Sequence, residues 1–319
     1  MYVVKRLLIA CALLAGCGSA AARPAAAPRA TWRPWVHATR PLDLAGPRSD
    51  GAMVLAAAGR LWLLRPSGAV APYPGSYRSP GGEEPYIALS PGGCFGRDTV
   101  YAIRLQGGRG VTAVSAAGRV RRFASITAPG LIDGIAFGFG RRLLVTVNAG
   151  PRTTVEAIDC HGAVRTLTRR APRVEGGIAV APASFGHFAG DLIAPDEQGG
   201  RIFAISPQGR SRLVAHSGLP HGGDIGVESE AFVPRGRFEA LLADRLTPGN
   251  PHAGDDVVLR VGSAALFAAG VRPGDLLVAT EGGARTDAVS CSPRGCRVRH
   301  VADGPSVAHG EGHIAILPR

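Results

Sequence analysis

With 319 residues, 45% of them hydrophobic and 19% charged, the chain holds enough apolar material for a large core, which excludes a disordered polymer and a charge-rich coiled coil. Its 45 glycines and 25 prolines punctuate it too often for long helices and point to many short elements joined by tight turns. The net charge of +12 is nearly all arginine, Lys5 being the lone lysine, and the arginines are scattered, without the clustering beside aromatics that a nucleic-acid partner calls for.

In chain order, Lys5 and Arg6 precede an apolar run over 7–14, which suits the hydrophobic region of a signal peptide and is too short to span a bilayer. The run ends in Leu14-Ala15-Gly16-Cys17, which resembles the lipobox of bacterial lipoproteins. The resemblance implies a signal peptide over 1–16, lipidation of Cys17 and an exported protein anchored to the membrane, facing the periplasm or exterior. An ordinary leader cut near 20–22 is the alternative. Residues 17–49, rich in Ala, Pro and Arg, read as a flexible tether, and 50–319 as the folded domain.

Within that domain, 52–57, 60–65 and 70–73 are three strands with a turn at Ser67-Gly68. A repeat follows, in which an acidic residue stands just before an apolar-Ala-apolar core. Its copies open at Glu84, Asp133, Glu175, Glu228 and Glu311, and their alanines, 88, 136, 179, 231 and 315, are spaced by 48, 43, 52 and 84. The last interval holds a drifted copy, expected within 263–268. Each copy leads into a second strand, at 99–105, 142–147, 191–194, 240–243 and 275–279, and four third-to-fourth-strand turns carry glycine at 118, 162, 209 and 295. Six units of about 40 to 50 residues predict an all-β, six-bladed β-propeller. The three N-terminal strands are expected to complete the sixth blade, with the C-terminal strand as its innermost member, so that closure removes open sheet edges.

This blade order sends the starts of the inner strands to one mouth of the central channel. Glu84, Asp133, Glu175, Glu228 and Glu311 would ring that mouth, with Asn148, Asp196, Asp244 and Glu281 at second-strand ends as an outer set. Crowded carboxylates repel unless neutralised, and hard oxygen donors suit Ca2+ or another divalent cation; alternatively the acids only punctuate turns. The least repetitive segments, on the same face, contribute His221 with Asp224, His252, and His309 with His313. Of these, His221, His309 and His313 are candidates for moving protons, or else solvated loop residues. Cys291 and Cys296 flank a Ser-Pro-Arg-Gly turn and should pair across it. Cys94 and Cys160 fall on the opposite face of neighbouring blades, and are either a second disulfide or two buried thiols.

The Glu-Gly or Asp-Gly before Ile-Ala, and the blade phrase from Gly200 to Gly209, resemble six-bladed propellers of the NHL-repeat and gluconolactonase/regucalcin-like group. The resemblance covers the chain from about residue 50 and implies a divalent cation in the channel, with Glu84 and Asp133 carrying over to its ligand set. Ala231-Phe-Val-Pro234 followed by Phe238 is also similar to quinoprotein sugar dehydrogenases. Two functions compete. A binding module would present the mouth to a small molecule, glycan or protein around a structural cation. A metal-dependent hydrolase, lactonase-like or esterase-like, would use the cation as Lewis acid.

Overall fold

The computed structural model describes residues 28–79 and 84–319, so the leader, Cys17 and the first part of the tether lie outside the described residues. Six sheets, antiparallel except for one short parallel edge strand, stand radially as the blades of a propeller. Blade 1 runs outward from Pro41–Ala45 through Met53–Ala57 and Arg60–Leu64 to Val70–Pro72. Blade 2 comprises Ile87–Pro91, Arg97–Arg104, Gly110–Val114 and Val120–Ser125, and blade 3 comprises Leu131–Gly138, Arg142–Ala149, Arg152–Ile158 and Val164–Pro172. Blade 4 starts from the two-residue strand Ala179–Val180 and adds Leu192–Asp196, Arg201–Ile205 and Ser211–His216.

Blades 5 and 6 are interlaced. After the inner strand of blade 5, Val227–Phe232, the chain crosses to blade 6 and lays down its middle strands, Phe238–Asp244 and Val257–Gly262. It turns at the helix Ser263–Ala268, returns to blade 5 for Leu276–Thr280, Thr286–Ser292 and Gly295–Asp303, and only then supplies the inner strand of blade 6, Gly310–Pro318. Arg33–His37 is the outermost strand of blade 6, and Ala30–Thr31 adds to the edge of blade 5.

Three expectations are corrected by this path. The ring closes on the C-terminal strand as expected, but that strand pairs with Phe238–Asp244 and not with the strands at 53–72. The missing sixth inner strand is Pro41–Ala45, because 263–268 is helical. Residues 30–45, assigned to the tether, are therefore partly strand, and Trp32 is buried with its indole N–H donating to Thr286 Oγ1 at 2.8 Å. The physical reason is common to all three: Asp43 lies inside its strand, fully buried, so Pro41-Leu-Asp-Leu-Ala45 lacks the acid-then-Ile-Ala phrase.

Apolar faces of neighbouring blades meet in layers, as in the cluster of Phe95, Tyr101, Phe123 and Phe137 between blades 2 and 3, whose rings make edge-to-face contacts. Beside it Cys94 and Cys160 form a disulfide with Cα atoms 5.7 Å apart, and Cys291 pairs with Cys296 across its hairpin. Among the described residues no helix is long and apolar enough to cross a membrane.

Candidate functional site

Inner strands of a propeller converge where they begin, so whatever residue opens each strand is brought to the channel mouth. Glu84, Glu228 and Glu311, from blades 2, 5 and 6, meet there with one carboxylate oxygen each within 4.8 Å of the others. Tyr86, fully buried below them, donates its hydroxyl to Glu228 Oε1 and lies 3.3 Å from Glu311 Oε2. The second oxygen of Glu228, a residue 5% exposed, has no hydrogen-bond partner among the described residues. Burial, then the charges of Glu281, Glu311 and Glu84, push the Glu228 carboxyl well above its usual range, and burial with Glu311 and Asp133 does the same to Glu84.

Beside this trio, Glu281, His309 and Glu311 form a second cluster, also within 4.8 Å. His309 Nε2 lies 2.9 Å from Glu281 Oε1 and 3.3 Å from Glu311 Oε1, and Arg245 Nη2 is 2.6 Å from the same Glu311 oxygen. Burial alone would lower the His309 pKa, yet the hydrogen bonds and charges of the two glutamates raise it to about 9. His309 therefore carries a proton at neutral pH. Asp244 accepts the His309 backbone N–H at 2.8 Å and holds that strand start in place, with burial lifting its pKa to about 6.

On the far side of the mouth, Asp133 accepts from the Asn148 amide, whose own oxygen accepts from Thr153 Oγ1 at 2.5 Å. Burial and the charge of Glu175 bring Asp133 to about 7. Glu175 is paired with Arg173, and Glu197, buried and next to Glu175, is raised to about 9.

Just below, side chains tie the inner strands together at a waist. His313 Nδ1 sits 3.0 Å from Asp43 Oδ1, and Asp43 also accepts the backbone N–H groups of His313, Leu44 and Ile87. Burial opposes the charge on His313, but Asp43 and the backbone carbonyls of Ile135 and Ile178 raise its pKa. Asp43 and His313 thus tie together the inner strands of blades 1, 2, 3 and 6 and the segment that opens blade 4. Glycine makes the waist possible: Gly176 has φ +66, and a Cβ there would meet the Glu228 carbonyl oxygen at 2.6 Å.

The five acids expected at the mouth are all there, although Glu175 is taken up by Arg173 and Asp133 by Asn148. Of the outer set, Glu281 and Asn148 reach the cluster, Asp244 holds the His309 backbone, and Asp196 is clamped by Arg201 at 2.6 Å within its own blade; Asp224, named with His221, is exposed. His221 is exposed on its loop; His309 and His313 are each locked to carboxylates. Asp43, Tyr86, Glu197 and Arg245 were not anticipated. The repeat itself offered a signal for three of them: Tyr86 stands two places after Glu84 in an inner-strand opening, and Arg245 follows Asp244 at a second-strand end. Glu197 likewise follows Asp196.

Among the described residues the mouth gathers seven carboxyls, those of Glu84, Asp133, Glu175, Glu197, Glu228, Glu281 and Glu311, against three cationic groups, Arg173, Arg245 and His309. Such an excess is relieved either by protons or by a bound cation.

No family model and no curated protein matches the chain. Solved structures do. The calcium-binding protein regucalcin from Agrobacterium tumefaciens is similar at 12% identity and a TM-score of 0.55, over 89% of this chain and 82% of that one. A chain of a nidogen/laminin complex gives 14% identity and a TM-score of 0.53 over 87% and 84%. Virginiamycin B lyase from Staphylococcus aureus gives 14% and 0.47 over 85% and 93%. At these identities the likeness is one of fold.

Proposed function

We propose that the chain is an exported, lipid-anchored binding protein that holds a divalent cation at its channel mouth and uses it to bind a small ligand. The observation that carries the reading is that Glu228, whose carboxyl gathers with those of Glu84 and Glu311, has a buried oxygen without a hydrogen-bond partner among the described residues, since an unsatisfied buried carboxylate oxygen is costly. An all-oxygen donor set favours Ca2+, or Mg2+ with retained water, over softer metals. The similar fold of a calcium-binding protein agrees with this choice. Export is supported by the two disulfides, which persist in oxidising compartments, and by the lipobox-like phrase at Cys17.

Calcium titration of chelator-treated protein, followed by calorimetry, tests the cation. Saturable binding that is abolished in Glu228→Gln supports the reading, and no binding by the wild type overturns it. Cys17→Ser should release the protein from membranes with its fold intact; retention in the membrane fraction would remove the anchor.

A metal-dependent hydrolase is the second reading, and one residue favours it. Its base would be Asp133, which ionises near pH 7 beside Glu84, and not His309, which keeps its proton to about 9. Chelator-sensitive hydrolysis of a lactone, lost in Asp133→Asn, would establish it.

A further inference from the structure

We infer that a cavity over blade 1, next to the mouth, is a binding site for a small organic anion with an apolar body. The cavity measures about 270 Å³. Its floor and walls include Leu42, Leu61 and Tyr77, and among the described residues its lining carries three arginines, Arg40, Arg60 and Arg245, and no acid. Arg40 and Arg60 line this apolar floor as exposed cations, while Arg245, paired with Glu311, stands between them and the carboxylate-rich mouth, so charge is segregated by sign over a short distance. Planar guanidinium forks match carboxylate, sulfate or phosphate oxygens in paired hydrogen bonds. The apolar floor gives bare inorganic ions nothing to bury, and the volume lies just below the range typical of drug-sized ligands.

The backbone around the cavity is held in an uncommon shape. Arg40 has φ +48 and Ala58 φ +49, both left-handed without being glycine, and the Ala58 N–H donates to the Arg40 carbonyl at 3.1 Å. Ala58 and Gly59, both left-handed, form the two-residue turn that a tight hairpin needs. This turn joins the second and third strands of blade 1, so that Arg60 starts its strand at the cavity edge. Gly59 in turn accepts the Ser79 N–H at 2.8 Å, which fixes the segment bearing Tyr77 as the opposite wall. Arg245, bonded to Glu311, is the partition between this cavity and the mouth.

The anion site does not depend on the cation reading, and the two are separable by experiment. Benzoate serves as the probe, benzamide as its neutral isostere and inorganic sulfate as the bare-anion control, each titrated into the purified full chain in chelator and again in calcium. Expected is saturable benzoate binding in both conditions, no binding of benzamide, weak binding of sulfate, and about a tenfold loss of benzoate affinity in Arg60→Gln and in Arg40→Gln. Both arginines are exposed, so neither change threatens the fold. Benzoate binding that requires calcium and ignores Arg60 and Arg40 would assign the anion to the cation and overturn the pocket. Equal binding of sulfate and benzoate would reduce the site to an adventitious ion only, and no benzoate binding in either condition would also refute it.

Discussion

Gly176 shows how closely structure and chemistry are tied in this molecule, because the residue that follows an acidic ligand candidate in sequence must also let the backbone of blade 4 touch that of blade 5. Its N-terminal neighbour Glu175 faces the mouth, and the next residue, Gly177, donates its N–H to the Glu228 carbonyl at 2.9 Å. Gly176→Ala would add the cost of a left-handed alanine, about 1–3 kcal/mol, to an overlap with Glu228. The expected outcome is a clear drop in melting temperature together with weaker calcium binding, since Glu228 would be displaced; an unchanged melting curve would contradict the waist geometry. The acid-then-glycine phrases were legible in the sequence, and so was the ring of acids. What they mean was not: glycine serves the close approach of strands, while the mouth acids divide into those left facing one another and those taken up by Arg173 or Asn148. Asp43 escaped notice because its carboxylate works inside the strand, satisfied by backbone N–H groups, and so breaks the repeat's pattern.

At the scale of elements, the interlaced blades explain both the success and the failure of the repeat count. Six units were legible since each unit keeps its strand length and turn chemistry, yet the partner of each strand is set by packing that spacing along the chain does not record. The strand Phe238–Asp244 follows Val227–Phe232 in sequence and pairs instead with Gly310–Pro318. Residues before 50 looked like tether by composition, but Trp32 is 1% exposed and wedged between blades 5 and 6. Trp32→Ala should therefore cost about 3–5 kcal/mol, the range for a buried aromatic, whereas a tether residue would cost nothing measurable in denaturant titration. Deleting 310–319 should prevent folding altogether, because it removes an inner strand from the ring; soluble protein with cooperative melting would argue against the closure described. The Cys94–Cys160 bridge joins blades 2 and 3 across 66 positions. Cross-links closing loops of that length contribute on the order of 4 kcal/mol by chain entropy, so a Cys94→Ala, Cys160→Ala double variant should melt markedly lower. Equal melting of oxidised and doubly substituted protein would show that blade packing alone sets the stability there.

For the molecule as a whole, the crowded mouth makes stability a function of pH and of bound cation together. Burial raises Asp244 from 3.8 to about 6. Burial and Glu175 raise Asp133 from the same ordinary value to about 7. Burial and the neighbouring Glu175 take Glu197 from 4.5 to about 9. In each case the folded state holds a proton that the unfolded state has released, so stability declines as pH rises between the two values. His309 adds to the same trend, since its pKa rises from 6.5 to about 9 and its contribution, complete below 6.5, is lost as pH passes through the upper value. The four windows together run without a break from 3.8 to about 9 and share one sign. In chelator, the melting temperature is therefore expected to fall steadily from about pH 5 to pH 9. A divalent cation at Glu84, Glu228 and Glu311 replaces protons as the neutralising charge, so calcium should stabilise more at pH 9 than at pH 5 and flatten the profile. His309→Gln should make the decline between 6.5 and 9 shallower, leaving there the share that Glu197 contributes and leaving the acidic part in place. Thermal melts across this range, with and without calcium, decide the matter: a melting temperature that rises with pH in chelator would mean that the mouth carboxylates are neutralised by neither protons nor a cation, and the electrostatic account of the channel would fall with it.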